Sequence, residues 1–137
     1  MSSDLRIVLI EDEPSLVSLY SFGLHKIGQV LAASTKQDAF ELFERLLAEN
    51  KKPSVVLLDL ILPGARTEAV KFRDRAGFEI LQWLRQNKWY ELVPVIIMTN
   101  LDNNEDRQMA ETLGANGYIV KSNVVPKQIV EEINALV

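Results

Sequence analysis

An α/β fold on a parallel sheet is predicted by three features of the sequence. Short β-branched apolar runs alternate with longer segments of helical period, the pattern of successive βα units. Three of those runs are apolar at nearly every position, as strands covered by helices on both faces must be. The 137 residues, 47% of them hydrophobic, carry no Ser/Gly/Pro-rich linker, internal repeat or low-complexity stretch, so residues 1–137 are read as a single domain able to bury its own core.

The elements follow in order. Arg6 to Ile10 is the first strand and is nearly all apolar. Pro14 suits a first helical turn, and Leu16, Leu19, Tyr20, Leu24 and Ile27 recur at helical spacing as a buried stripe. Gln29 to Ala33 is less uniformly apolar and is assigned to a sheet edge with a short ladder. Thr35 and Asp38 resemble a capping box, after which Phe40, Phe43, Leu46 and Leu47 supply the buried stripe of helix two, ended by residues 50–53. Val55 to Leu58 is a central strand. Gly77 to Gln86 is helix three, with Phe78, Leu81 and Leu84 inward, and Val95 to Met98 is another central strand. Asn104 to Leu113 is helix four, stopped by Gly114; Gly117 to Val120 is the second edge strand; Pro126 to Val137 is helix five, with Ile129, Ile133 and Leu136 inward.

Composition excludes several functions. Cysteine is absent, which removes disulfides, thiolate metal sites and cysteine nucleophiles and makes the cytoplasm the expected location. No apolar run approaches the roughly 20 residues that span a bilayer, and the N-terminus has no secretory pattern, so no membrane association is expected. A net charge of −4 disfavours direct nucleic-acid binding. Because the last helix reaches the end of the chain, output is expected through binding another protein.

In an open parallel sheet, ligands bind beyond the carboxyl ends of the strands. There the sequence places Glu11, Asp12 and Glu13, then Asp59, Thr99 and Lys121. Two bare carboxylates about 4 Å apart repel by roughly 4 kcal/mol at an effective dielectric near 20, so Glu11, Asp12 and Asp59 can cluster only around positive charge. Lys121 supplies one such charge. Hard oxygens with no His or Cys nearby suit Mg2+, which would also neutralise phosphoryl oxygens and leave Asp59 free as a nucleophile toward phosphorus. Each residue taken singly has an ordinary reading, Asp59 as a turn residue, Thr99 as a strand end and Lys121 as a solvated charge. Their convergence carries the inference.

These residues sit in four motifs: Ile10-Glu11-Asp12-Glu13-Pro14; Leu57-Leu58-Asp59-Leu60-Ile61-Leu62-Pro63-Gly64; Met98-Thr99-Asn100; and Gly114-Ala115-Asn116-Gly117-Tyr118-Ile119-Val120-Lys121. In that order they resemble the response-regulator receiver domains of two-component signalling, over nearly the whole chain. The resemblance implies a doubly wound, flavodoxin-like three-layer α/β/α fold, five strands in the order 2-1-3-4-5 flanked by five helices. It implies that Asp59 is the phosphoacceptor, that Asp12, Asp59 and the backbone carbonyl of Ile61 hold Mg2+ directly, and that Glu11 acts through water. Lys121 would contact the acyl phosphate, and Thr99 and Tyr118 would form the switch pair. The phosphoryl donor would be a histidine kinase, a phosphotransfer protein or a small phosphodonor. The switched surface, helix four, strand five and helix five, would take a downstream protein target or form a homodimer. On this reading the chain is no enzyme beyond its own phosphorylation and dephosphorylation. The alternatives are a phosphate-independent scaffold, which would be indicated by a lost site residue, and an aspartyl-phosphate phosphohydrolase, which would favour an acid where Ile61 stands.

Departures from the pattern are equally legible. Residues 65–76 form an insertion between strand three and helix three, read as a loop with excess positive charge from Arg66, Lys71, Arg73 and Arg75, either a tolerated surface loop or a device that selects the kinase or phosphodonor. Ser122 replaces the proline, with its cis bond, that commonly follows the lysine, so a trans, differently shaped turn is expected. Ile61 and Leu101 are apolar two residues after Asp59 and Thr99, which predicts slow loss of phosphate. His25 is given no role, and Trp83, Trp89 and Tyr90 are read as packing around the end of helix three rather than as a cofactor box.

Overall fold

The computed structural model describes residues 4–62 and 75–137. Its strands are β1 (Leu5–Ile10), β2 (Gly28–Ala33), β3 (Val55–Leu58), β4 (Val95–Thr99) and β5 (Gly117–Val120). Its helices are α1 (Pro14–Leu24), α2 (Lys36–Ala48), α3 (Ala76–Gln86), α4 (Asn104–Thr112) and α5 (Pro126–Leu136). The five strands are parallel in the order β2-β1-β3-β4-β5.

Strand alternation divides the core in two. Val8, Ile10, Val56, Leu58, Val95 and Ile97 face α2 and α3, with Ala110 of α4. Ile7, Leu9, Val55, Leu57, Ile96 and Met98 face α1 and α5. Residues 7–10 and 55–58 are buried on both faces, which explains their unbroken apolar character. The sheet thus lies between two helical layers, and every strand points its carboxyl end to the same edge of the molecule.

Local chemistry sets the boundaries. Glu13 caps α1 by accepting from Ser15 N, and Thr35 caps α2 by accepting from Asp38 N at 3.0 Å. Asn103 caps α4 through Asp106 N at 2.8 Å, and Gly114 follows that helix with φ 98°, in the left-handed region where glycine carries no penalty. Gln128 returns its side chain to Val125 N at 2.9 Å to start α5.

Four expectations need correction. The edge strand β2 has six residues and pairs along its full length with β1, because that ladder continues past the residues judged from apolarity alone. Leu19 and Leu47, assigned inward, are 48% and 37% exposed. The inward line of α1 runs instead through Tyr20 and Leu24, and that of α2 through Ala39, Leu42, Phe43 and Leu46, since a 3.6-residue period rotates the assigned leucines off the face. Ile27 lies beyond the end of α1, packed against the α1/α5 core. Helix α3 starts at Ala76, so Ala76 is helical and Arg75 is its N-cap residue. The rest of the insertion, residues 65–74, lies outside the described residues.

Phe43, Trp83, Trp89 and Tyr90 interlock, with Phe43 and Tyr90 ring centroids 5.3 Å apart and Trp89 and Tyr90 at 4.8 Å, and Tyr90 Oη donates to Phe43 O. Among the described residues no helix is long and apolar enough to cross a membrane.

Candidate functional site

At the carboxyl edge of the sheet, β1 delivers Glu11 and Asp12, β3 delivers Asp59, β4 ends in Thr99, and β5 is followed by Lys121. The register that pairs Ile10 with Leu58 puts the residues after them side by side. Glu11, Asp12 and Asp59 each offer a carboxylate oxygen, all within 4.8 Å of one another. Glu11 and Asp59 are buried and Asp12 is exposed, so the cluster has an inner wall and one arm toward solvent.

Lys121 closes the inner wall. Its Nζ donates to Glu11 Oε1 and to Asp59 Oδ2, each at 2.8 Å, and its side chain is 8% exposed. The second oxygen of each carboxylate is also engaged: Glu11 Oε2 accepts from Glu13 N at 3.1 Å and Asp59 Oδ1 from Ile61 N at 3.2 Å. Burial pushes the Glu11 carboxyl above its ordinary value, against the lowering pull of Lys121 and the Glu13 amide. For Lys121, burial alone would lower the ammonium, but the hydrogen bonds to Asp59 and Glu11 outweigh it and raise it. The lysine is therefore firmly charged and the acids are held together by it.

A narrow junction fixes the backbone after Asp59. A Cβ on Gly77 would lie 2.4 Å from Asp59 O and 2.6 Å from Leu60 Cα, so α3 abuts that backbone only because residue 77 is glycine. Gly77 N donates to Leu60 O at 3.1 Å. Asp12, Asp59, Ile61, Thr99, Asn100, Leu101 and Lys121 line an open cleft of about 240 Å³. Ile61, 49% exposed, forms one lip.

Thr99 is buried and its Oγ1 accepts from Leu101 N at 3.3 Å. Tyr118 Oη donates to Leu101 O at 2.6 Å, so one residue, Leu101, joins the predicted switch pair through both of its backbone groups. The Tyr118 ring stacks under the Arg107 guanidinium at 4.7 Å, and burial pushes its phenol up to about 12.

All the residues singled out from sequence thus meet at one edge, Tyr118 indirectly. Glu11, expected to act through water, stands behind Asp12 and Asp59 with its Oε1 accepting from Lys121 Nζ. Sequence reasoning missed Asn100, whose Oδ1 accepts from Ser122 N at 3.0 Å. A proline at 122 would have no N–H to give, so the departure at Ser122 was the available signal. No described peptide bond is cis, in line with the trans turn expected at Ser122, and Lys121–Asn123 forms a 3₁₀ turn. Asp106 was also missed, although Asn103 three residues before it has the spacing of a reciprocal cap.

Comparison with known proteins agrees with this architecture. The family model "Response regulator receiver domain" matches residues 7–134. The chain is 30% identical over 132 residues to Protein PilH of Pseudomonas aeruginosa, covering 96% of both. It is 28% identical to the alkaline phosphatase synthesis transcriptional regulatory protein PhoP of Bacillus subtilis, where it spans 96% of this chain and 48% of that protein, about half its length. The chemotaxis response regulator CheY4 of Vibrio cholerae superposes with a TM-score of 0.77 at 19% identity, covering 97% of this chain and 98% of that one, a likeness of fold.

Proposed function

The chain belongs to the response regulator receiver domain family, and from that premise we propose that Asp59 accepts a phosphoryl group from a phosphohistidine or a small phosphodonor and passes the change to the face formed by α4, β5 and α5. The observation that carries the proposal is the gathering of three carboxylates within 4.8 Å, braced by a lysine that bonds two of them. Such a cluster is tolerable only when shared positive charge offsets its repulsion.

The donor set fits a divalent ion of the Mg2+ type: three hard oxygens, no His or Cys, one of the acids exposed. Asp12 and Asp59, with the Ile61 carbonyl, would hold it, and Glu11 would support it from behind. Bound there, it would supply positive charge to the phosphoryl oxygens. The remaining work falls to the chain. An Asp59 carboxylate oxygen forms the new O–P bond as the donor's P–N bond, or the P–O bond of an acyl phosphate, breaks. The electron pair stays on the departing group. Lys121 would exchange its bond to Asp59 for one to the transferred phosphoryl group. Thr99 would turn its hydroxyl to the same group and release Leu101, and Leu101 carries that movement to Tyr118.

Ile61 and Leu101 put hydrocarbon at the cleft mouth, which disfavours an attacking water and an acid-assisted phosphohydrolase cycle. Incubation with acetyl phosphate, followed by intact mass, tests the reading. One added phosphoryl group is expected with Mg2+, and none with EDTA or in Asp59→Asn. No adduct, or an adduct that survives Asp59→Asn, would overturn it. A scaffold indifferent to phosphate would give no adduct, and a phosphohydrolase would turn the donor over without accumulating one.

A further inference from the structure

A second ion pair is buried away from the acidic cluster. Arg75 Nε donates to Asp106 Oδ1 at 2.9 Å and Arg75 Nη2 to Asp106 Oδ2 at 3.3 Å, a two-pronged grip. Asp106 is 0% exposed and the Arg75 side chain 23%. Asn103 Nδ2 adds a bond to Asp106 Oδ2 at 2.6 Å.

Its position matters more than its strength. Arg75 lies two residues before Gly77, which is pressed against the Asp59 carbonyl, so the guanidinium is anchored to the junction behind the phosphoacceptor. Asp106 lies in the first turn of α4. The same turn carries Arg107, which bonds Asp102 at 2.9 Å and covers Tyr118. Just before it lies Leu101, tied to both Thr99 and Tyr118. The first turn of α4 is thus held to α3 on one side and to the switch pair on the other.

A fully buried carboxylate must keep its charge paired, so a shift of this turn that parts Asp106 from Arg75 leaves it with the uncharged Asn103 amide alone or brings it into water. In the arrangement described, both Asp59 oxygens are taken by protein donors. A phosphoryl group on Asp59 needs a different one, and the Thr99 to Leu101 link transmits that demand to α4. We propose that Arg75 and Asp106 are positioning residues, a latch that holds the first turn of α4 in the arrangement with Asp59 occupied by its protein partners and so sets how much of the phosphoryl binding energy is spent on switching.

The inference rests on the assignment of Asp59 as phosphoacceptor, and the test separates the two. Beryllofluoride, a phosphoryl analogue, is titrated by 19F NMR in the presence of Mg2+ into wild type, Arg75→Ala, Arg75→Lys and Asp106→Asn, with thermal midpoints recorded in parallel. Arg75→Ala should lower the thermal midpoint and yet tighten beryllofluoride binding by about tenfold, because weakening the latched arrangement removes part of the cost of leaving it. Arg75→Lys, which keeps the charge and loses the fork, should fall between the two. Asp106→Asn should tighten binding in the same direction and serves if Arg75→Ala does not fold. Unchanged or weaker binding in folded variants, beside a wild type that binds, overturns the latch alone. No Mg2+-dependent binding to wild type overturns the assignment of Asp59 and the latch with it.

Discussion

Replacing Lys121 by Met tests the electrostatics of the cluster in quantity. The substitution keeps the length of the side chain and removes a charge bonded at 2.8 Å to both Glu11 and Asp59. With side chains only 8%, 2% and 6% exposed for Lys121, Glu11 and Asp59, water screens little of this interaction. Removing one partner of a buried pair costs about 3–5 kcal/mol, because the other charge stays behind unpaired. Here two carboxylates stay behind and also repel each other. Urea unfolding at neutral pH in EDTA should therefore show a loss at the upper end of that range. Magnesium should restore more stability to the variant than it adds to wild type, since the ion no longer competes with the ammonium; saturation at 100 times Kd adds about 2.7 kcal/mol. The pH dependence has a defined sign. A carboxyl raised in the folded state, as Glu11 is, favours folding below its ordinary value of 4.5 and loses that contribution as pH rises through the folded value. Loss of Lys121 removes two of the influences that hold Glu11 down, so the deficit of the variant should be small in acid and full at neutral pH. A loss below about 1 kcal/mol at neutral pH, the size of an exposed ion pair, or one equal at every pH and indifferent to magnesium, would refute the reasoning.

Other perturbations have equally definite outcomes. Burial raises the phenols of Tyr20, Tyr90 and Tyr118, the last to about 12, and these are all three tyrosines of the chain. Their neutral forms favour the fold up to the ordinary value near 10 and that contribution is lost as pH rises through the folded values. Absorbance of tyrosinate should thus rise later than that of the unfolded chain and together with alkaline unfolding, whereas a three-tyrosine step near 10 in the folded protein would contradict the packing. Gly77→Ala forces a methyl into the Asp59 carbonyl and should cost about 1–3 kcal/mol in chemical denaturation while slowing acetyl phosphate transfer. A neutral effect on both would show that the junction yields. Polar residues in place of Ile61 and Leu101 should shorten the lifetime of the phosphorylated protein, followed by phosphate release, and wild type should hold the group for well beyond seconds.

Much of the fold and of the candidate site was legible because each was written locally. Val55–Leu58 and residues 95–98 are apolar on both faces because both faces are covered, and no edge strand reads that way. Glu11, Asp59, Thr99 and Lys121 stand next to strand ends, so locating the strands located the cluster. What was hidden depends on distance. The inward assignment of Leu19 and Leu47 failed because periodicity leaves the phase of a helix uncertain by one position until its neighbours are known. Arg75 looked like one more loop cation, since nothing near it in sequence announces Asp106, 31 residues on. The role of Leu101 as the joint between Thr99 and Tyr118 runs through backbone atoms, which residue identity does not encode.

On the proposed reading, Asp12 and Asp59 hold one divalent ion, with Glu11 behind them. Manganese, used as a paramagnetic stand-in for magnesium, can be titrated by electron paramagnetic resonance against wild type, Asp12→Asn and Asp59→Asn. One ion per chain is expected, displaced by magnesium and bound far more weakly by both variants. Binding that persists unchanged in Asp12→Asn and Asp59→Asn, or no specific binding to wild type, would contradict it.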